Sequence, residues 1–360
     1  MGPVLDKIAQ FSIPYSSYLK PDGELAQPLP NWAKVPTSLI ALYRMLCLTR
    51  YFDQKAIALQ RTGKLGTYPS VLGQEAIGVG IGAAMLAEDV LCPYYRELGA
   101  QLWRGVTMQD ILHYWGGDER GSDFQHAKQD FPICVPIGSQ TLHAVGVATA
   151  FKIRQQPRVA VAVIGDGGTS RGDFYEAMNV AGIWELPVVF VINNNQWAIS
   201  VPRTAQSKTQ TLAQKGIAAG IESIQIDGND VIGVQESVSQ ALTRARIEQR
   251  PTVIEALSYR LGDHTTADDA NRYRDRAELI ENQAKDPLLR LKNYLVRHHG
   301  WDTQQEQALT TELQAEIQQA VAVYLNAAVR PPESMFDYLY QQLPSAYAPQ
   351  RQEVKDAGQA

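Results

Sequence analysis

The fold is decided by Val159-Ala-Val-Ala-Val-Ile-Gly-Asp166-Gly-Gly-Thr-Ser-Arg-Gly and, one helix-sized segment later, by Leu186-Pro-Val-Val-Phe-Val-Ile-Asn-Asn-Asn195. Both apolar runs are rich in valine and isoleucine and too short for helices, which is typical of buried parallel strands. The segment between them, residues 173–184, has helical spacing and stops before Pro187. The pattern predicts one right-handed βαβ unit.

A polar residue follows each predicted strand. Asp166 and Asn195 should therefore lie at one edge of the sheet, where open α/β folds bind their ligands. Their oxygens and a backbone carbonyl would leave coordination positions for phosphate oxygens and water, as magnesium usually requires. Gly167 and Gly168 would let the backbone approach a diphosphate, and the next helix start offers free N–H groups. The sequence predicts a magnesium–diphosphate site.

Other interpretations of these glycines fit less well. A dinucleotide-binding fold would need a glycine at Ser170 and an acid closing the second strand, whereas Glu185 precedes that strand. No Gly-Lys-Ser/Thr sequence is present to form a phosphate loop. Taken alone, Gly-Asp-Gly is usually only a turn. A magnesium-dependent phosphohydrolase with Asp166 as nucleophile stays open as a remote alternative.

Composition is that of a soluble globular protein. The chain has 360 residues, of which 45% are hydrophobic, enough for one large domain or two. A net charge of −5 with scattered basic residues does not indicate a nucleic-acid-binding surface. Neither a signal peptide nor a membrane span is recognisable, so we expect a cytoplasmic protein with no membrane partner. Cys47, Cys92 and Cys134 are too far apart to indicate a disulfide framework or zinc site.

The chain divides into three predicted regions. Residues 1–36 are rich in proline and polar side chains and should form an extended arm. Residues 37–343 should form the α/β domain, including C-terminal helices from about residue 277 to Leu343. Residues 344–360 have little to pack against and are predicted to be a disordered tail.

Four motifs carry a resemblance to a known family, in the family's order. They are Gly73-Gln-Glu-Ala76, Gly165-Asp-Gly-Gly-Thr-Ser-Arg-Gly-Asp-Phe-Tyr-Glu176, Asn194-Asn-Gln-Trp-Ala-Ile-Ser200 and Tyr259-Arg-Leu-Gly-Asp-His-Thr-Thr-Ala-Asp-Asp269. From about Leu39 to Leu343 the chain resembles α subunits of heterotetrameric 2-oxo acid dehydrogenase E1 components. It is most similar to bacterial pyruvate dehydrogenase E1 α subunits, with the branched-chain 2-oxo acid enzyme as the near alternative. The resemblance implies a thiamine diphosphate-binding fold with a mostly parallel sheet and helices on both faces.

The resemblance also implies roles for individual residues. Magnesium would be bound by Asp166, by the Asn195 side chain and by the backbone carbonyl of Trp197. The other implied contacts are with thiamine diphosphate: Tyr95 and Arg96 at the diphosphate, Val135 and Ile137 at the aminopyrimidine through backbone groups, Gly167 and Gly168 at the diphosphate loop, and Ile199 as the apolar prop that bends the cofactor.

His264 is the predicted catalytic residue. It lies in the polar segment 262–276, which is too hydrophilic for a core and long enough to be a functional loop. By resemblance this is the active-site loop, where the imidazole would contact the cofactor near the reacting carbon and could stabilise developing charge or relay protons. Thr265 stands where regulated relatives carry a phosphorylated serine, so kinase regulation is not supported. The role of His143 is left open.

The resemblance implies protein partners. Enzymes of this kind complete their site with a pyrimidine-binding domain that supplies a glutamate, and this chain has too few residues for a second α/β domain. An E1 β subunit should supply it in an α2β2 assembly that acts on a 2-oxo acid and acylates the lipoyl domain of an E2 core. The small-residue helix at Gly78–Ala83 could pack against the partner or inside this chain.

Overall fold

The computed structural model describes residues 7–358. These residues form two compact units, with the boundary between Val321 and Ala322. The strands are β1 Tyr15–Ser16, β2 Val90–Cys92, β3 Ala160–Gly165, β4 Val188–Asn194, β5 Trp197–Ala198, β6 Val201–Pro202, β7 Glu222–Asp227 and β8 Thr252–Leu257. The helices are α1 Pro36–Arg61, α2 Glu75–Ala84, α3 Leu98–Trp103, α4 Met108–Trp115, α5 Ser139–Ile153, α6 Gly172–Ile183, α7 Arg203–Gln206, α8 Gln214–Ile217, α9 Val231–Glu248, α10 Arg276–Gln283, α11 Pro287–His299, α12 Thr303–Leu325 and α13 Ala348–Ala357.

The first unit is built on a six-stranded sheet in the order β1-β7-β8-β4-β3-β2, and every neighbouring pair in it is parallel. The βαβ unit predicted from the sequence is β3-α6-β4. The predicted α/β fold with a parallel sheet is confirmed.

Helices cover both faces of this sheet. Along β3, Ala162 and Ile164 belong to a core that includes residues of α5 and α6, whereas Val161 and Val163 belong to a core that includes residues of α2 and α9. Because both faces are buried, the strand is apolar at every position and does not alternate. This explains the continuous valine-rich runs in the sequence.

The glycines of α2 pack inside this unit. A Cβ atom at Gly80 would lie 2.6 Å from Cγ1 of Val234, and one at Gly82 would lie 2.7 Å from Cβ of Trp103. Residues 75–82 are all buried. Packing within the chain, one of the two possibilities that the sequence left open, is therefore what the structure shows for the glycines of this helix, which pack against α9 and α3.

The predicted N-terminal arm is largely irregular between residue 7 and α1, and residues 1–6 lie outside the described part of the chain. It also contains β1, which the sequence analysis missed, and β1 pairs in parallel with β7. The buried Asp230 carboxylate accepts a hydrogen bond from the backbone N–H of Leu19 at 2.9 Å. The arm is therefore anchored by backbone pairing and by a hydrogen bond to a buried carboxylate, neither of which needs apolar periodicity.

The second unit differs from expectation. Helix was predicted to Leu343, but α12 ends at Leu325 and only a 3-10 turn, Pro332–Phe336, follows before that point. The predicted disordered tail instead contains α13, in which Arg351 pairs with Asp337 at 2.7 Å. Residues 350–353 are good helix formers, and the helix has no apolar stripe, so hydrophobic periodicity could not reveal it. The domain limits at 37 and 343 stay a prediction.

Two negative findings apply to residues 7–358. No helix there is both long and apolar enough to cross a membrane. All three cysteines are free: Cys47 and Cys92 are buried and Cys134 is half-buried.

Candidate active site

A cavity of about 860 Å³ opens at the carboxyl ends of β3 and β4. All the residues that the sequence analysis assigned to the site line it: Tyr95, Arg96, Val135, Ile137, Asp166, Gly167, Gly168, Asn195, Trp197, Ile199 and His264. The tertiary structure thus brings together residues that are up to 169 positions apart in the sequence (264 − 95).

Asp166 is the first residue after β3 and is 3% exposed. Its Oδ2 accepts a hydrogen bond from Nε2 of Gln206 at 3.1 Å. Burial raises the pKa of Asp166 to about 6, and the bond from Gln206 opposes that rise. A divalent cation beside the carboxylate would favour its ionised form.

Asn195 lies next to Asp166 because Gly165 and Asn193 are partners in the β3–β4 register. The Nδ2 atom of Asn195 donates to Oε1 of Gln74 at 2.8 Å, which fixes the orientation of the amide. Oδ1 accepts from the backbone N–H of Trp197 at 3.1 Å and keeps a second lone pair for a ligand.

The segment after Asp166 is a 3-10 turn, Gly167–Ser170. A Cβ atom at Gly167 would lie 2.4 Å from that of Ala198, and one at Gly168 would lie 2.5 Å from Cγ1 of Ile164. Glycine is therefore required at both positions. Behind the turn, Nζ of the buried Lys215 donates to the carbonyl and to Oγ1 of Thr169, both at 2.8 Å. Burial lowers the pKa of Lys215 to about 8.

Ile199 begins the two-residue turn of the β5–β6 hairpin, with φ of 55°. That left-handed conformation favours glycine or asparagine, and a β-branched residue adopts it only under strain. The Ile199 side chain is 57% exposed and lines the cavity, while its carbonyl accepts from Nη2 of Arg260 at 2.8 Å. A strained apolar residue held in a cavity is typical of a functional position.

Arg96 and His264 form one hydrogen-bonded unit. Nη2 of Arg96 lies 3.1 Å from Nδ1 of His264 and donates to its carbonyl oxygen at 2.7 Å. The Arg96 guanidinium also lies over the Tyr95 ring, 5.2 Å from its centroid. Burial, followed by the charges of Arg96 and Arg260, lowers the pKa of His264 to about 4. The imidazole is therefore neutral near pH 7.

The loop that carries His264 is ordered by its own carboxylates. The backbone N–H of His264 donates to Oδ2 of Asp268 at 2.8 Å, and the Tyr273 hydroxyl donates to the same oxygen. Nη2 of Arg260 donates to the Tyr273 hydroxyl oxygen at 2.7 Å. These bonds position the imidazole at the cavity wall.

Sequence reasoning missed several residues of the site. Gln206, Thr67 and Trp115 line the cavity, and Gln74 and Arg260 contact residues that do. Tyr259-Arg260 belongs to a quoted motif, so a signal for Arg260 was present. For Gln206 and Trp115 the sequence offers no pattern. His143 does not line the cavity and stacks on Phe131, with ring centroids 5.4 Å apart.

The donor set suits a magnesium–diphosphate group. No cluster of three or more His, Cys, Asp or Glu side chains able to hold a metal occurs between residues 7 and 358. The predicted ligands are instead a carboxylate, an amide oxygen and a backbone carbonyl, all of them hard oxygen donors. Such a set leaves positions for phosphate oxygens and water.

Comparison with known proteins decides the family. The model of the dehydrogenase E1 component family matches residues 43–333. The chain belongs to the dehydrogenase E1 component family. The pyruvate dehydrogenase E1 component subunit alpha of Mycoplasma genitalium is 38% identical to this E1 chain over 334 residues, 93% of each chain. The protein of the same name from Acholeplasma laidlawii is 44% identical over 281 residues, 78% of this chain and 81% of its own.

A relative with another name is also similar. The 3-methyl-2-oxobutanoate dehydrogenase subunit alpha of Mycobacterium tuberculosis is 39% identical to this E1 chain over 317 residues, covering 87% of this chain and 86% of its own. Membership of the E1 family implies dependence on thiamine diphosphate. It gives no support to a phosphohydrolase.

Proposed function

We propose that this E1 chain is the α subunit of a pyruvate dehydrogenase E1 component, with thiamine diphosphate and Mg²⁺ bound in the cavity. The observation that carries the proposal is the meeting of Asp166, Asn195, Arg96 and His264 in one cavity at the carboxyl edge of the sheet. The names of the two pyruvate dehydrogenase relatives support pyruvate as the substrate.

The inner part of the cavity is suited to the diphosphate end of the cofactor. Asp166, the Asn195 amide oxygen and the Trp197 carbonyl would hold Mg²⁺, which in turn binds phosphate oxygens. Backbone N–H groups near Gly167 and Gly168 can approach the diphosphate because no side chain intervenes. Arg96 adds a planar cationic donor, and Tyr95 lies beside it.

The outer part is suited to the reaction. Thiamine diphosphate, when bound, supplies the carbon nucleophile and the electron sink for decarboxylation of a 2-oxo acid. Ile199, Val135 and Ile137 give that region apolar walls, which would exclude water and hold the cofactor. His264 accepts at Nδ1, so its proton resides on Nε2, where it can be donated to a developing oxyanion.

A β subunit would complete this site in an α2β2 assembly. Asp166 is the one carboxylate among the described residues that line the cavity, so a glutamate for the aminopyrimidine would come from the partner. Val135, Ile199 and Val201 line the cavity yet are 51%, 57% and 44% exposed. Apolar surface of this kind is typically covered in the working assembly. The assembly would then transfer the acyl group to the lipoyl domain of E2.

Reconstitution tests the proposal. The purified chain and the β subunit would be assayed separately and together for carbon dioxide release from pyruvate, with mass followed by light scattering. We expect weak cofactor binding and no decarboxylation by the chain alone, and both properties to appear together on mixing, because the cofactor bridges the two proteins. Full activity from the chain alone would contradict the two-subunit proposal.

The Mycobacterium tuberculosis relative favours a second candidate, a branched-chain 2-oxo acid dehydrogenase E1 α subunit. The ratio of kcat/KM for pyruvate to that for 3-methyl-2-oxobutanoate, measured on the same α2β2 preparation, separates the two. A ratio well above unity supports the pyruvate enzyme, and a ratio below unity supports the branched-chain enzyme.

A further inference from the structure

Gln206 ends α7, directly after the hairpin that carries Ile199, and its side chain lines the cavity. Its Nε2 donates two hydrogen bonds, to Oδ2 of Asp166 at 3.1 Å and to the Val201 carbonyl at 2.9 Å. Both partners are pure acceptors. The orientation of the amide is therefore fixed, since a flipped amide would set its oxygen against two other oxygens.

The other end of the same amide is unsatisfied. Oε1 of Gln206 is buried and has no hydrogen-bond partner between residues 7 and 358. This oxygen lies beside the 3-10 turn Gly167–Ser170, because a Cβ atom built on Gly167 would come within 3.2 Å of it. A buried acceptor without a donor is rare and requires a reason, such as a functional constraint or an ion or water at the site. Here the orientation that lets Nε2 bond to Asp166 leaves Oε1 without a hydrogen-bond donor.

Other contacts hold Gln206 in place. The backbone N–H of Arg203 donates to the Gln196 carbonyl at 2.8 Å, and Nη1 of Arg203 donates to the Ser207 carbonyl at 3.0 Å. The first bond ties α7 to the segment that follows β4, next to Asn195, and the second links the start of α7 to the residue that follows its end. The position of Gln206 is thus built by the elements that position the predicted metal ligands.

We propose that Gln206 is a positioning residue of the cation site. By holding Oδ2 of Asp166, its amide leaves Oδ1 for the divalent cation and fixes the rotamer of the carboxylate. Partners that orient metal ligands in this way set the affinity of the metal, and their loss typically costs about 10- to 100-fold in that affinity. The inference rests on the proposed thiamine diphosphate function of the cavity and adds a residue that determines its metal dependence.

The test is a magnesium titration of cofactor binding in the assembled α2β2 complex. Binding of thiamine diphosphate at a fixed concentration would be followed by calorimetry and by fluorescence, since Trp115 and Trp197 line the cavity. Gln206→Met keeps the length of the side chain and removes both donors. Gln240→Met is the matched control, because Nε2 of Gln240 also donates to a carboxylate, Oε1 of Glu236 at 2.8 Å, on the exposed face of α9.

We expect Gln206→Met to raise the half-saturating Mg²⁺ concentration by about 10-fold or more, with the binding plateau regained at high Mg²⁺. Gln240→Met should titrate like the wild type. A half-saturating concentration for Gln206→Met within about twofold of wild type, or a plateau that excess Mg²⁺ does not restore, would overturn the positioning role and leave the proposed function intact. Binding by the wild-type complex that is independent of Mg²⁺ would overturn the cation site itself.

Discussion

Arg96 contacts His264 twice, with Nη2 3.1 Å from Nδ1 of the imidazole and 2.7 Å from the backbone carbonyl oxygen. A guanidinium can only donate, so Nδ1 must be an acceptor and the ring proton must lie on Nε2. The low pKa of His264, about 4, agrees with this neutral tautomer. Arg96 therefore fixes the tautomer of a neutral imidazole at the cavity wall.

The first prediction concerns His264→Ala. Removing a side chain that donates a proton at the reacting centre should lower the overall rate by about 10²-fold or more while cofactor affinity changes little. The measurement is turnover with a lipoyl acceptor, beside calorimetric titration with thiamine diphosphate. His143→Ala, a change outside the cavity, serves as control. A near-normal rate for His264→Ala would show that the residue has no catalytic role.

The second prediction is that Asp166→Ala abolishes cofactor binding and leaves the fold largely intact. Asp166 is the charged ligand of the proposed cation, and no other carboxylate among the described lining residues can replace it. Titration calorimetry at limiting Mg²⁺ on the assembled complex measures the loss, and circular dichroism checks the fold. Wild-type affinity in this variant would exclude Asp166 as a ligand.

The third prediction is that Ile199→Gly lowers turnover without lowering thermal stability. Glycine adopts φ of 55° without steric strain, so the melting temperature should stay level or rise, by an amount equivalent to at most about 1 kcal/mol. Turnover should fall because the apolar wall against the cofactor is lost. Differential scanning calorimetry and decarboxylase assays measure the two effects. A drop of several degrees in Tm with full activity would be the opposite of what strain at Ile199 implies.

The fourth prediction concerns Glu97, which is 1% exposed and has neither carboxylate oxygen hydrogen-bonded to a residue in the described part of the chain. Burial raises the pKa of Glu97 from its ordinary value of 4.5 to about 8. Between these two pH values the unfolded chain releases a proton that the folded chain retains. This group therefore lowers the free energy of unfolding as pH rises from about 4.5 to 8.

Glu97→Gln should remove that dependence. We expect a variant similar to wild type near pH 5 and more stable above pH 8, by on the order of a few kcal/mol. Urea denaturation of the isolated chain at both pH values measures the difference. The exposed Glu281→Gln is the control. An unchanged pH dependence in Glu97→Gln would mean that Glu97 is ionised in the folded protein.

The sequence by itself determined the two strands and the sheet edge at which the candidate site lies. Two valine-rich runs, each followed by a polar residue, were enough to predict adjacent parallel strands, and the structure brings Asp166 and Asn195 to the same sheet edge. This succeeded because strand period and the right-handed crossover are local rules that short segments obey. Tyr95, Arg96, Ile199 and His264 were found by motif resemblance, since no local rule marks them.

Only the tertiary structure decided how those residues act. The neutral state of His264 depends on its burial and on the charges of Arg96 and Arg260, and Arg96 comes from a segment 168 residues away in the sequence. Gln206 lies in no recognised motif. Its proposed role follows from its hydrogen bond to Asp166, which is 40 residues earlier in the sequence. The short strand β1 and the helix α13 also escaped prediction. Each lacks an apolar stripe and depends on backbone pairing or polar contacts, which hydrophobic periodicity does not record.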